Sequence, residues 1–71
     1  MSYVNDNGIH EGDLIVLRNC HNSSWNGCLG ILLKRPPDTR WDRVCMFTVP
    51  AGYSGEKISL VPLGFIRPIT E

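Results

Sequence analysis

The sequence predicts an all-β domain: a five-stranded barrel with a short 3₁₀ turn before its last strand. Three observations carry this prediction. The apolar residues fall into five short runs separated by Gly, Pro, Asn and Asp, at spacings of roughly ten residues. No stretch sustains a helical period. The 71 residues suffice for one domain only, and a sheet this small does best by closing on itself, which removes edges and buries one interior.

Each element has its own justification. Residues 1–10 form a polar leader, and the barrel domain occupies 11–71. Asn7-Gly8 and Glu11-Gly12-Asp13 are turn signals ahead of the first strand, Leu14–Leu17. A loop from Asn19 closes on the turn pair Asn26-Gly27. The second run, Cys28 to Leu33, gives way to Lys34-Arg35 and the breaker pair Pro36-Pro37. Asp38 to Asp42 is a polar connection, and the third run, Val44 to Val49, stops at Pro50. Ala51 to Lys57 contains Gly52 and Gly55 and reads as a hairpin loop into the fourth strand, Ile58 to Val61. Leu63-Gly64-Phe65 is the 3₁₀ turn. The fifth strand, Ile66 to Ile69, contains Pro68 and belongs at an edge or end of the sheet.

Alternation puts Leu29, Ile31 and Leu33 on one face, as it does Val44 with Met46 and Ile58 with Leu60. The opposite faces are not cleanly polar: Leu14 and Val16 oppose Ile15 and Leu17, and Leu32 points away from its neighbours. Phe47, Phe65, Cys28 and Cys45 lie inside apolar runs and are expected in the core.

Two stretches carry a resemblance. Gly12-Asp13 leading into Leu14–Arg18, followed by Asn26-Gly27-Cys28-Leu29-Gly30 and Ile31–Leu33, resembles the opening of an SH3-like barrel of the KOW type. In that pattern a Gly-Asp turn enters the first strand, and a glycine in the second lets two strands approach closely. The ending Leu60-Val61-Pro62-Leu63-Gly64-Phe65-Ile66 is similar to the turn between the last two strands of such barrels. The likeness spans residues 11–69 and implies an SH3-like barrel; its KOW form implies nucleic-acid binding. The loop Asn19–Asn26 is longer than in a compact KOW motif. The subunit IV family of photosystem I is similar in length and in its loops, here Leu17-Arg18, Trp25, Gly30 and Tyr53-Ser54-Gly55.

Composition narrows the function classes. Seven basic and seven acidic residues cancel, which argues against a general polyanion or membrane-surface binder. The longest apolar runs are too short to span a bilayer. Residues 1–13 have neither a basic start nor an apolar stretch, so no secretory signal is expected. Three cysteines cannot all pair internally, and reduced thiols suggest a cytoplasmic protein. Asn22-Ser23-Ser24 matches a glycosylation acceptor, which without a secretory route is a chance match. Cys20, His21, Cys28 and Cys45 include no Cys-x-x-Cys pair, so no metal or other cofactor is implied. Neither a nucleophile with a positioned base nor a phosphate-cradling glycine loop is present, and no enzyme is expected.

Candidate binding residues remain. Trp25, Trp41 and Tyr53 lie in or beside the long loops. Their rings either lid the ends of the barrel or form a contact surface, in its sharpest form an aromatic cage for a methylated cation. The neutral total also hides a split. Asp6, Glu11 and Asp13 precede the first strand without a base, whereas residues 18–43 carry net +3. Asp38 and Asp42 are placed to pair with Arg40 and Arg43. The leading expectation is a non-catalytic adaptor, inhibitor or accessory protein, a class that includes small viral proteins. It docks on a protein partner through Trp25, Arg35, Arg40, Trp41 and Tyr53. The alternative is a nucleic-acid-binding module using Arg18, Lys34, Arg35, Arg40 and Arg43. A third possibility is a structural subunit of a larger assembly.

Overall fold

A computed structural model describes residues 3–69. Its strands are β1 (Leu14–Leu17), β2 (Leu29–Leu32), β3 (Asp42–Met46), β4 (Ile58–Val61) and β5 (Ile66–Pro68). They form one antiparallel sheet in the order β4-β3-β2-β1-β5. Two 3₁₀ turns interrupt the loops: the expected one at Leu63–Phe65 and a second at Ser23–Trp25. Among the described strands no ladder joins β4 to β5, so the sheet keeps an open seam, spanned by Pro62 and the Leu63–Phe65 turn.

Three strands differ in their ends from the sequence expectation. β2 begins at Leu29 and ends at Leu32, inside the expected run, and β5 ends at Pro68. β3 starts earlier, at Asp42, and stops at Met46 rather than Val49. Its end has a local cause. The Phe47 and Thr48 amides both donate to the Leu29 carbonyl (2.8 and 3.2 Å), and Thr48 Oγ1 accepts from the Leu29 amide (2.7 Å). One side chain thus replaces a ladder partner and ends the pairing.

The registers define the two faces. Ile15, Gly30 and Met46 lie opposite one another across β1, β2 and β3, and Leu32 lies opposite Val44. Ile15, Leu32, Val44, Met46 and Ile66 are fully or almost fully buried and form the core with Ile9, Leu17, Cys28 and Val61. The core side of β2 is therefore Gly30 and Leu32, while Leu29 and Ile31 look outward and are half-buried. Gly30 is required by space: an added Cβ would sit 2.9 Å from the Cys45 carbonyl oxygen and 3.0 Å from Met46 Sδ. Phe47 is a correction to the expected core, being about half exposed. It follows Met46, whose side chain points inward, so alternation turns Phe47 out. Cys45 is likewise only partly buried, whereas Cys28 and Phe65 pack in or against the core.

The described part of the leader packs on the sheet. Val4 bridges to His10, and the turn between them is held by Asn5, whose Oδ1 accepts from the Asn7 and Ile9 amides, each at 2.9 Å. Ile9 enters the core, and the Gly12 amide donates to the Leu32 carbonyl at 2.8 Å.

Candidate binding cleft

Trp25 ends the first 3₁₀ turn, and local hydrogen bonds fix its position. Asn22 caps the turn, its Oδ1 accepting from the Ser24 amide (3.1 Å) and hydroxyl (2.7 Å). The Cys28 amide donates to the Trp25 carbonyl (3.1 Å), and the Cys20 amide to Asn26 Oδ1 (2.9 Å). The long first loop is thus an ordered scaffold for its tryptophan. Tyr53 sits in the β3–β4 connection, where its hydroxyl donates to the Glu56 carbonyl (2.7 Å). The Trp25 and Tyr53 rings meet edge to face, with centroids 4.9 Å apart at 77°, a favoured aromatic geometry.

The two rings border a cleft of about 310 Å³. The core side chains Leu17, Met46 and Val61 also line it, as do His21 and Phe65, which pack edge to face at 5.4 Å. Four consecutive residues, Ser59 to Pro62, complete it. Cys20 also lines the cleft. Burial, and secondarily neighbouring Cys28, push its thiol pKa above the ordinary value, which keeps it a protonated and weak nucleophile.

A second cavity, of about 440 Å³, contains Arg35, Arg40 and Trp41, and Pro62 borders both spaces. The five expected partner-binding residues therefore fall into two neighbouring groups. Trp25 and Tyr53 share the first cleft, Arg35, Arg40 and Trp41 the second, and Trp41 does not join the other two rings. Arg40 and Trp41 are exposed.

Arg35 faces inward. Its Nε donates to Asp42 Oδ1 at 2.8 Å, and its guanidinium lies 5.8 Å from the centre of the Tyr3 ring. Its Nη2 is 3.9 Å from Asp6 Oδ2, an ion-pair distance too long for a hydrogen bond. Asp42 is fully buried and also accepts from the Tyr3 hydroxyl (2.7 Å) and Asn5 Nδ2 (3.1 Å). Its carboxylate is thus taken by Arg35, Tyr3 and Asn5 rather than by Arg40 or Arg43. Asp42 raises the Arg35 pKa further, against the opposing effect of burial. Burial, and then the bond to Asp42, push the Tyr3 phenol up to about 12. From sequence Asp42 belongs to a polar connection, because nothing in the stretch Trp41-Asp42-Arg43 signals burial.

The remaining expected cations are dispersed. The Arg18 amide bonds the Phe65 carbonyl at one end of the sheet. Arg43 lies opposite Leu60 on the outer face, and Lys34 follows β2. Among the described residues, no group of three or more His, Cys, Asp or Glu side chains could hold a metal ion. No helix there is long and apolar enough to cross a membrane. Comparison with known proteins gives no match to a family model, a curated protein or a solved structure.

Proposed function

We propose that the protein is a non-catalytic binding module that docks a protein partner at the Trp25–Tyr53 cleft. The observation that carries this reading is the meeting of the two loop-borne rings at the border of a cleft lined by apolar core side chains. A cleft of this size accepts a few apolar side chains, and buried aromatic anchors dominate the energetics of such contacts. Arg40 and Trp41, across Pro62, extend the contact as an exposed rim. The fold is in this reading an SH3-like half-open barrel, supported by the strand order and by the 3₁₀ turn between β4 and β5. The three free thiols fit a reducing, cytoplasmic setting. Dispersal of the cations favours a protein over a nucleic acid, since a phosphate backbone is bound by a continuous basic track.

Affinity capture from source cells, with and without nuclease, tests the reading. The wild-type chain is expected to retain its partner after nuclease treatment, and the Trp25→Ala/Tyr53→Ala variant to lose it. A partner released by nuclease, or one that stays on the double variant, contradicts the proposal.

A further inference from the structure

The cleft has one wall of a different kind. Side chains of a strand alternate between its two faces, yet Ser59, Leu60 and Val61 all line the same space. A strand that turns its backbone edge to a space lines it with consecutive residues in this way. Among the described residues that edge of β4 carries no strand. The register shows which groups it offers. Val44 lies opposite Ser59 and Asp42 opposite Val61, and the Met46 amide donates to the Lys57 carbonyl at 2.8 Å. In an antiparallel ladder such pairs alternate, so the N–H and C=O groups of Ile58 and Leu60 point away from β3. Edge strands are commonly protected by charge, Pro or a bulge. The residues Ile58-Ser59-Leu60-Val61 include neither a charge nor a proline, and Ile58 and Leu60 are 50% and 43% exposed.

Charge defines the occupant. Lys57 immediately precedes β4, Arg43 lies opposite Leu60, and Arg40 stands across Pro62. All three are exposed. On the acidic side, Glu56 adjoins Lys57, and Asp6 in the second cavity is directed at Arg35. The surroundings of the edge are therefore net basic.

The geometry points to an extended acidic peptide segment that adds as a strand to the free edge of β4 and sinks alternate apolar side chains into the Trp25–Tyr53 cleft. This inference rests on the proposed function and specifies the partner's chemistry. Main-chain bonds to Ile58 and Leu60 supply affinity, and the cleft and the cations supply selection. A second copy of this chain is the less suitable occupant, because its own β4 edge brings the same net-basic surroundings rather than an acidic complement.

The test titrates the full chain with a synthetic seven-residue peptide alternating acidic residues with valine. A counterpart carrying lysine in place of each acid, and one N-methylated at a central backbone amide, serve as controls. Amide hydrogen exchange is read by NMR. The acidic peptide is expected to bind and to protect the Ile58 and Leu60 amides. Both controls are expected to bind about tenfold more weakly or worse. Leu60→Pro removes an outward N–H without costing a ladder bond to β3 and is expected to weaken the acidic peptide comparably. The N-methylated peptide removes the opposite kind of ladder bond, from a peptide N–H to an edge carbonyl of β4, without altering the protein. Equal binding of the N-methylated peptide with no protection of the two amides overturns strand addition but leaves the cleft reading standing. Equal binding of the lysine counterpart overturns the acidic class. Absence of binding at millimolar peptide overturns the inference as a whole, while the cleft reading is judged separately by partner capture on Trp25→Ala/Tyr53→Ala. Protection of these amides that rises with protein concentration alone overturns it in favour of a second copy.

Discussion

Asp42 ties together segments far apart in sequence: Tyr3 and Asn5 from the N-terminal turn, and Arg35 from the connection after β2. Replacing Asp42 with Ala leaves those donors facing an empty acceptor position, and chemical denaturation is expected to show a loss of about 3 kcal/mol. The same cluster sets an alkaline limit. The Tyr3 phenol is raised from 10 to about 12 in the folded chain. The unfolded chain therefore releases this proton first, and the stability Tyr3 contributes is fully present below pH 10 and is lost as pH rises through 12. The difference in stability between Tyr3→Phe and wild type should be flat from pH 7 to 9 and change only between pH 10 and 12. At the cleft, a Cβ on Gly55 would lie 2.5 Å from the Tyr53 hydroxyl oxygen. Gly55→Ala is expected to push that ring off Trp25 and weaken partner binding measured by calorimetry, with less than about 1 kcal/mol lost in stability.

The elements differ in how openly the sequence declares them. β1 and β4 are runs of four with breakers or polar residues at both ends, and their limits are legible. β2 misleads, because Leu29, Ile31 and Leu33 outnumber Leu32 and yet Leu32 is the buried residue. The glycine beside it is the better guide, since Gly30 shares the Leu32 face and permits the close approach of Met46. Gly30→Ala should cost about 1–3 kcal/mol, because its closest neighbour is backbone that cannot swing aside. The leader misleads in another way. Its composition is polar, but Ile9 is 4% exposed and belongs to the core. Ile9→Ala is expected to lose about 2–4 kcal/mol in urea denaturation. A single isoleucine in a polar segment carries no periodicity, so its burial depends on the Asn5 turn that folds it back.

At the scale of the whole molecule, the open seam between β4 and β5 lets loops and strand edge share one cleft. Trp25 and Tyr53 were identifiable from sequence as large rings in loops, but their meeting depends on where β1, β2, β3 and β4 end in space. The two groups divided by Pro62 were not legible for the same reason, nor was the inward turn of Arg35, which depends on a carboxylate buried by other segments. The chain contains two tryptophans, one in each cavity, so their indole N–H signals report on the two spaces separately. Titrating the ¹⁵N-labelled protein with its captured partner shows whether the Trp25–Tyr53 cleft is where the partner docks. The Trp25 indole and the amides around Tyr53 and Leu60 are expected to shift most, with smaller changes at Trp41. Shifts confined to Arg18, Lys34 and the outer sheet face, with the Trp25 indole unmoved, would contradict it.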